Sequence, residues 1–318
     1  MRMRCVLLAS LLLVACTPPE PPLRVGLLEW PPYAIAWLAV DDPALDEHGV
    51  EFVEFQSPAE ARRAYLVGGI DIVALTFDYL VELSDRSDDH RALIVIDESL
   101  GGDAAISRQP VEELGDIRGL RVGIEASELG AFFASRLLDE AGLAPRDIVP
   151  VFVDFPDQLA AWDAGDVDVL LTWEPTRTEL LERGGHEIFS SADIPGEIID
   201  VFIARKDLLE RRPQHVRAFA AAWFRALERF AADPAAAAEI LAPRLRLEPE
   251  EFLRAIDGTG LFTLRDNHRV LGGGDAEFLA TLGRVVESES LRNRGVTGAT
   301  LPRLFTPAAL PPRADGDR

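Results

Sequence analysis

The sequence predicts an α/β protein of two lobes. Three observations lead there. Short apolar runs alternate with helical stretches along most of the chain, two extended runs that carry an Asp near their start split this alternation into two series, and 318 residues suffice for two lobes of ~100–200 residues each. Strands alternating with helices of ~10–15 residues imply right-handed βαβ units around parallel sheets.

The first series opens at Leu23–Leu28, a short β-type run, followed by the aromatic loop Glu29-Trp30-Pro31-Pro32-Tyr33. Ile35–Val40 reads as the start of a helix. Val50–Phe55 alternates apolar and acidic residues, the pattern of a half-buried strand. Ser57-Pro58-Ala59-Glu60 opens a helix, with Ser as cap, Pro at the first position and Glu three residues after the cap; Gly68-Gly69 stops it. Ile70–Leu75 is a buried strand ending at Thr76-Phe77-Asp78, and Ala92–Asp97 is another.

The second series starts near Arg108. Leu120–Ile124, Ile148–Val153 and Val167–Trp173 read as strands; helices begin near Ser127 and span Phe155–Ala164 and Glu174–Arg183. The two runs that read as crossings between lobes are Gly102–Ser107 and Ile199–Arg205. They assign 23–106 plus 205–306 to lobe 1 and 107–204 to lobe 2. From Pro213 the chain is mostly helical: Pro213–Ala232, Pro234–Leu241, Pro249–Ile256 and Asp275–Val286, three of them beginning with Pro. Residues 307–318 read as a loose tail. No repeat of fixed period is evident.

The composition narrows function. Fifty-four acidic against 32 basic residues give a net charge of −22, and hydrophobic residues make up 48 %. Such a chain can bury a core, but its charge argues against nucleic acid and against docking on anionic lipid. Arg2 and Arg4 followed by the apolar run Val6–Ala15 resemble a signal peptide over 1–15. Leu13-Val14-Ala15-Cys16 resembles a bacterial lipobox, which would make Cys16 the lipidated N-terminus, with 16–22 as a Pro-rich tether. A lipidated Cys16 would leave no disulfide in the mature fold. Scattered histidines form no metal motif, and all five read as surface or loop residues.

Several motifs carry a family resemblance: the lipobox, Val25–Tyr33 (VGLLEWPPY), Gly68–Thr76 (GGIDIVALT), Leu114–Gly123 (LGDIRGLRVG), Ala164–Asp168 and Trp173-Glu174-Pro175. Together they resemble substrate-binding lipoproteins of ABC transporters of the nitrate/sulfonate/taurine class, relatives of the thiamine-pyrimidine-precursor binders. The resemblance spans about Leu23 to Phe305. It implies a type II periplasmic-binding-protein fold, in which two α/β lobes joined by two crossing strands close over a small molecule in a central cleft. It also implies a monomer in the periplasmic cell envelope, lipid-anchored through Cys16. The partner is then an ABC import permease with a separate ATPase. The chain lacks a phosphate-binding P-loop and its only lysine is Lys206, so no ATP hydrolysis, cofactor or enzymatic turnover is expected. Two alternatives stand: a ligand-sensing module for a membrane receptor, or a pyrimidine-precursor-synthase-like enzyme.

Ligands of open α/β sheets bind beyond the carboxyl ends of strands. Those ends and the crossings nominate Glu29, Trp30, Tyr33, Thr76, Phe77, Asp78, Asp103, Ser127, Trp173, Glu174, Glu197 and Asp200, with Glu125 and Phe155 close by. The set is rich in acids and aromatics and contains no Lys or Arg. Carboxylates and aromatic faces suit a cation, so the expected ligand is an amine or nitrogen heterocycle, with a zwitterion compatible.

Overall fold

The computed structural model describes residues 20–312 except 274 and 289. The signal segment 1–15, the lipidation candidate Cys16 and the end of the tail lie outside the described residues. Among the described residues the strands are β1 (Leu23–Leu28), β2 (Val50–Phe55), β3 (Ile72–Thr76), β4 (His90–Ser99), β5 (Asp103–Ser107), β6 (Arg121–Ile124), β7 (Val149–Phe152), β8 (Val169–Trp173), β9 (His186–Ser190), β10 (Ile199–Arg205) and β11 (Thr259–Leu261). They form a six-stranded sheet, β11-β4-β10-β3-β1-β2, and a five-stranded sheet, β7-β6-β8-β5-β9. Each sheet has a parallel heart (β2-β1-β3 and β7-β6-β8) flanked by antiparallel strands. The α/β class and two-lobed architecture are as expected.

The boundaries shift. Asp103–Ser107, expected as a crossing with all but Ser107 in lobe 1, is an interior strand of the second sheet, paired with β8 and β9. Ile199–Arg205, expected as a crossing with all but Arg205 in lobe 2, lies inside the first sheet between β3 and β4. Neither run crosses. The crossings are the turns just before them, where Ser99 and Ser191 meet Oγ to Oγ at 2.8 Å and the Gly101 amide donates to Ser191 Oγ at 2.7 Å. A third segment joins there: the Gly258 carbonyl accepts from the Leu100 and Gly102 amides at 2.8 and 3.1 Å.

Other expectations needed extension. The Ile35–Val40 helix starts earlier, with an α-turn at Pro31–Ala34 running into a 3-10 stretch at Ile35–Ala39. A helix at Phe77–Arg86 follows β3 directly. The tail is not loose at its start: residues 307–309 form a 3-10 turn, Ala309 and Leu310 are buried, and the Thr306 amide donates to the Ala92 carbonyl. His90 is not a surface residue, being buried beside the Tyr65 hydroxyl at 3.0 Å. The Pro213–Ala232 helix buries Phe219, Trp223, Leu227 and Phe230, as its spacing predicts for a core helix.

The structure also exposes an internal repeat. Leu23-Arg24-Val25-Gly26-Leu27 and Leu120-Arg121-Val122-Gly123-Ile124 each build the central parallel strand of a sheet. In the first, the Arg24 amide donates to Asp71 Oδ2 at 2.9 Å and the Asp71 amide returns to the Arg24 carbonyl at 2.8 Å. In the second, Arg121 and Asp168 repeat both bonds at the same distances and the same separation of 47 residues. The glycine is needed for close packing. A Cβ on Gly26 would come within 2.4 Å of Ile70 Cδ1, and one on Gly123 within 2.6 Å of Leu170 Cδ1. Truncating Asp168 orphans the Arg121 amide, so Asp168→Ala is expected to destabilise the protein by about 1–3 kcal/mol. Urea unfolding checks this; an unchanged midpoint would show the aspartate is not holding the strand.

Candidate ligand-binding cleft

A cleft lies between the sheets, at the carboxyl ends of β1, β3 and β8 and the amino ends of β5 and β10. Six of the residues nominated from sequence line it: Trp30, Tyr33, Thr76, Asp103, Trp173 and Asp200. The rest of its wall, missed from sequence, is Leu28, Pro58, Leu75, Tyr79 and Leu129. Leu129 comes from the second-sheet side, on the helix Glu128–Ala141, so both halves of the molecule contribute.

The acidic floor is built by strand register. On β10, Asp200 stands opposite Asp97 of β4 on one side and Thr76 of β3 on the other. The Tyr33 hydroxyl donates to Asp200 Oδ1, and the Trp30 indole N–H donates to both Asp97 oxygens at 3.3 Å. Asp103 faces Trp173 across β5 and β8, and its amide donates to Ser99 Oγ at 3.1 Å. Phe155 stacks on Trp173 with centroids 4.2 Å apart and fixes its plane. Asp97 is the polar residue that the nominated set lacks. The same strand-end logic applied to Ala92–Asp97 would find it.

The remaining nominees do not line this cleft. Glu29 accepts from Arg246 Nη2 at 2.6 Å, and Glu197 from Arg136 Nε at 2.7 Å. Glu174 is buried but answered by Arg177 at 2.9 Å and by the Thr178 amide and hydroxyl. Phe77 is core, stacked on Phe305 at 5.8 Å. Ser127 caps its helix by accepting from the Gly130 amide at 3.0 Å. Asp78 lies buried behind Thr76, with Oδ2 lacking a hydrogen-bond partner.

Arginines therefore neutralise three of the nominated acids, and the unneutralised charge concentrates at the cavity. Among the described residues no Lys or Arg lines it. Burial pushes the Asp103 and Asp200 carboxyls up to about 7, with Glu174 adding to the first and Asp103 and Asp78 to the second. Burial likewise lifts Asp78 and Glu125 to about 7. Asp97 is held well above the usual carboxylate range by burial and then by Asp200. Burial and the same aspartates raise the Tyr33 phenol. Uncompensated buried carboxyls are costly to the fold, and such groups in a cleft mark a functional site. Among the described residues no cluster of three or more potential metal ligands occurs.

Two lobes, each a mixed sheet with a parallel heart, meeting over a cleft define the periplasmic-binding-protein fold, and solved structures agree. The alkanesulfonate-binding protein SsuA from Xanthomonas axonopodis pv. citri, bound to MOPS, superposes with a TM-score of 0.70 at 18 % identity, over 90 % of this chain and 99 % of that one. The desulfurization enzyme DSZB shares the fold at a TM-score of 0.60 and 18 % identity, over 92 % and 95 % of the two chains. Residues 16–243 match the NMT1-like family, and the chain belongs to that family. It is also 24 % identical over 188 residues to the taurine-binding periplasmic protein of Escherichia coli (strain K12), a match that spans only 58 % of each chain.

Proposed function

We propose that the protein is the solute-binding component of an ABC importer and that its cleft takes a small organic cation bearing N–H donors. It would act on the periplasmic side, tethered through Cys16, as a monomer without cofactor or turnover, handing its ligand to a permease. Membership in the NMT1-like family and likeness to a taurine-binding periplasmic protein support the transport role. One observation carries the ligand class: Asp103 and Asp200 share the cavity with Trp30, Tyr33 and Trp173, and no basic residue lines it among the described residues. A cation gains from the carboxylates and from each aromatic face it covers, the latter worth ~0.5–2 kcal/mol. A bare oxyanion would meet the acids with no countercharge.

Thermal shift with a ligand panel tests this. Benzamidine and simple primary amines should raise the melting temperature, by the equivalent of ~2.7 kcal/mol at a hundredfold excess over Kd. Taurine, with an ammonium beside its sulfonate, tests the zwitterion. Nitrate and amine-free alkanesulfonates should leave the transition in place; stabilisation by these anions alone would overturn the ligand class.

A further inference from the structure

We propose that Asp97, which lies behind the cavity wall, shares one proton with Asp200 across β4 and β10, and that a cation seated on Asp200 and Asp103 drives that proton into solvent. Asp97 is then a positioning residue that sets the charge of a wall it does not itself form. The expulsion step rests on the cationic ligand proposed above; the shared proton does not.

The geometry is specific. Asp97 and Asp200 are register partners on adjacent antiparallel strands, and both are buried. Each already has one donor on its outer side, Trp30 for Asp97 and Tyr33 for Asp200. The other ionisable groups acting on the pair are Asp103 from β5 and Asp78 from the Phe77–Arg86 helix, with Glu174 acting in turn on Asp103. All are acids. Two bare carboxylates cannot face each other in such surroundings, and a proton between them removes the repulsion. When a cation arrives, the ionised pair becomes the better partner. The O–H bond then breaks, its electrons stay on the carboxylate, and the proton passes to buffer. Burial, and after it the Asp200 carboxylate, hold the Asp97 carboxyl well above the usual carboxylate range.

The probe is benzamidine, charged throughout pH 7–9, titrated calorimetrically in phosphate and in Tris. The full-length protein should release close to one proton per ligand wherever the apo-pair still holds its proton. Its affinity should rise about tenfold per pH unit while the pair still holds its proton. In Asp97→Asn the amide donates to Asp200 in place of the proton and still accepts from Trp30. That variant should fold, bind, release little at pH 8 and show a flat affinity above it. Buffer-independent heats in the wild type, or unchanged release in Asp97→Asn, overturn the expulsion step. A ligand-free measurement separates the two claims. In 13C carboxyl NMR of the apo-protein, Asp97 and Asp200 should titrate as one linked pair, and Asp200 should titrate lower in Asp97→Asn. Independent titrations near ordinary carboxylate values overturn the shared proton. A linked pair in a protein that ignores benzamidine upholds the shared proton and sinks the cation reading together with the expulsion step.

Discussion

Asp103→Asn is expected to weaken benzamidine binding by about a hundredfold at pH 8 and, at the same pH, to raise the melting temperature of the apo-protein. Losing a buried charge-assisted contact to a ligand costs on the order of 2–5 kcal/mol, which sets the first effect. The second follows from linkage. An unfolded aspartate ionises near 3.8, whereas the folded Asp103 holds its proton to about 7 because it is buried. The folded state therefore binds the extra proton between those values. The stability this contributes is complete below about pH 4 and is lost as pH rises through 7. Asp200 behaves likewise, with the same direction and the same window. The wild-type apo-protein should thus melt lower at pH 8 than at pH 5, and Asn, which has no charge to bury, should remove part of that difference. Asp200→Asn should follow the same course, since an amide oxygen can still accept from Tyr33. A trade of stability for binding is what a functional site shows when its charges are relieved. If Asp103→Asn melts lower than wild type at pH 8, the carboxyl is structural and the argument for a ligand-binding wall fails.

What the sequence displays is local. Buried parallel strands read as unbroken apolar runs, so β3, β6 and β8 were visible, as were the aromatic and acidic residues beside them, including Trp30, Tyr33, Trp173 and Asp200. Pairing is not local. Nothing in Asp103–Ser107 or Ile199–Arg205 says which sheet each joins, and an extended run inside a sheet looks the same as one that crosses between sheets. The Phe77–Arg86 helix was hidden because it begins at the residue after β3, with no polar loop to mark the change of period. Charge neutralisation was equally invisible: Arg246 lies 217 residues from Glu29, and Arg136 lies 61 from Glu197. These two long-range arginines take Glu29 and Glu197 out of the list of acids, and the local Arg177 takes Glu174. The repeated Leu-Arg-Val-Gly stands in the sequence, but two copies, at 23–26 and 120–123, define no period.

Gly102→Ala should both destabilise the protein and impair its cleft, because one methyl group would land on the residue that organises the acidic floor. A Cβ at Gly102 would sit 2.5 Å from Trp30 Cη2, 3.2 Å from Ser99 Oγ and 3.4 Å from the Gly258 carbonyl. The ring cannot swing away freely: it is buried, and its N–H is committed to both oxygens of Asp97. Overpacking of this kind costs about 1–3 kcal/mol. Displacing Trp30 also removes a wall of the cavity and one donor to Asp97, so benzamidine affinity should fall more than tenfold along with the melting temperature. Gly101→Ala provides the contrast. Its φ of +119° makes any side chain strained, yet its Cβ would approach only Ala192 Cβ, at 4.0 Å. That variant should lose stability while keeping the wild-type near-ultraviolet circular dichroism and affinity. Combining Gly102→Ala with Trp30→Phe should restore part of the lost stability, because the smaller ring vacates the contested space, and the non-additivity of the pair measures the contact directly. Wild-type affinity in Gly102→Ala alone would show that Trp30 moves without consequence and that the cleft does not depend on its position.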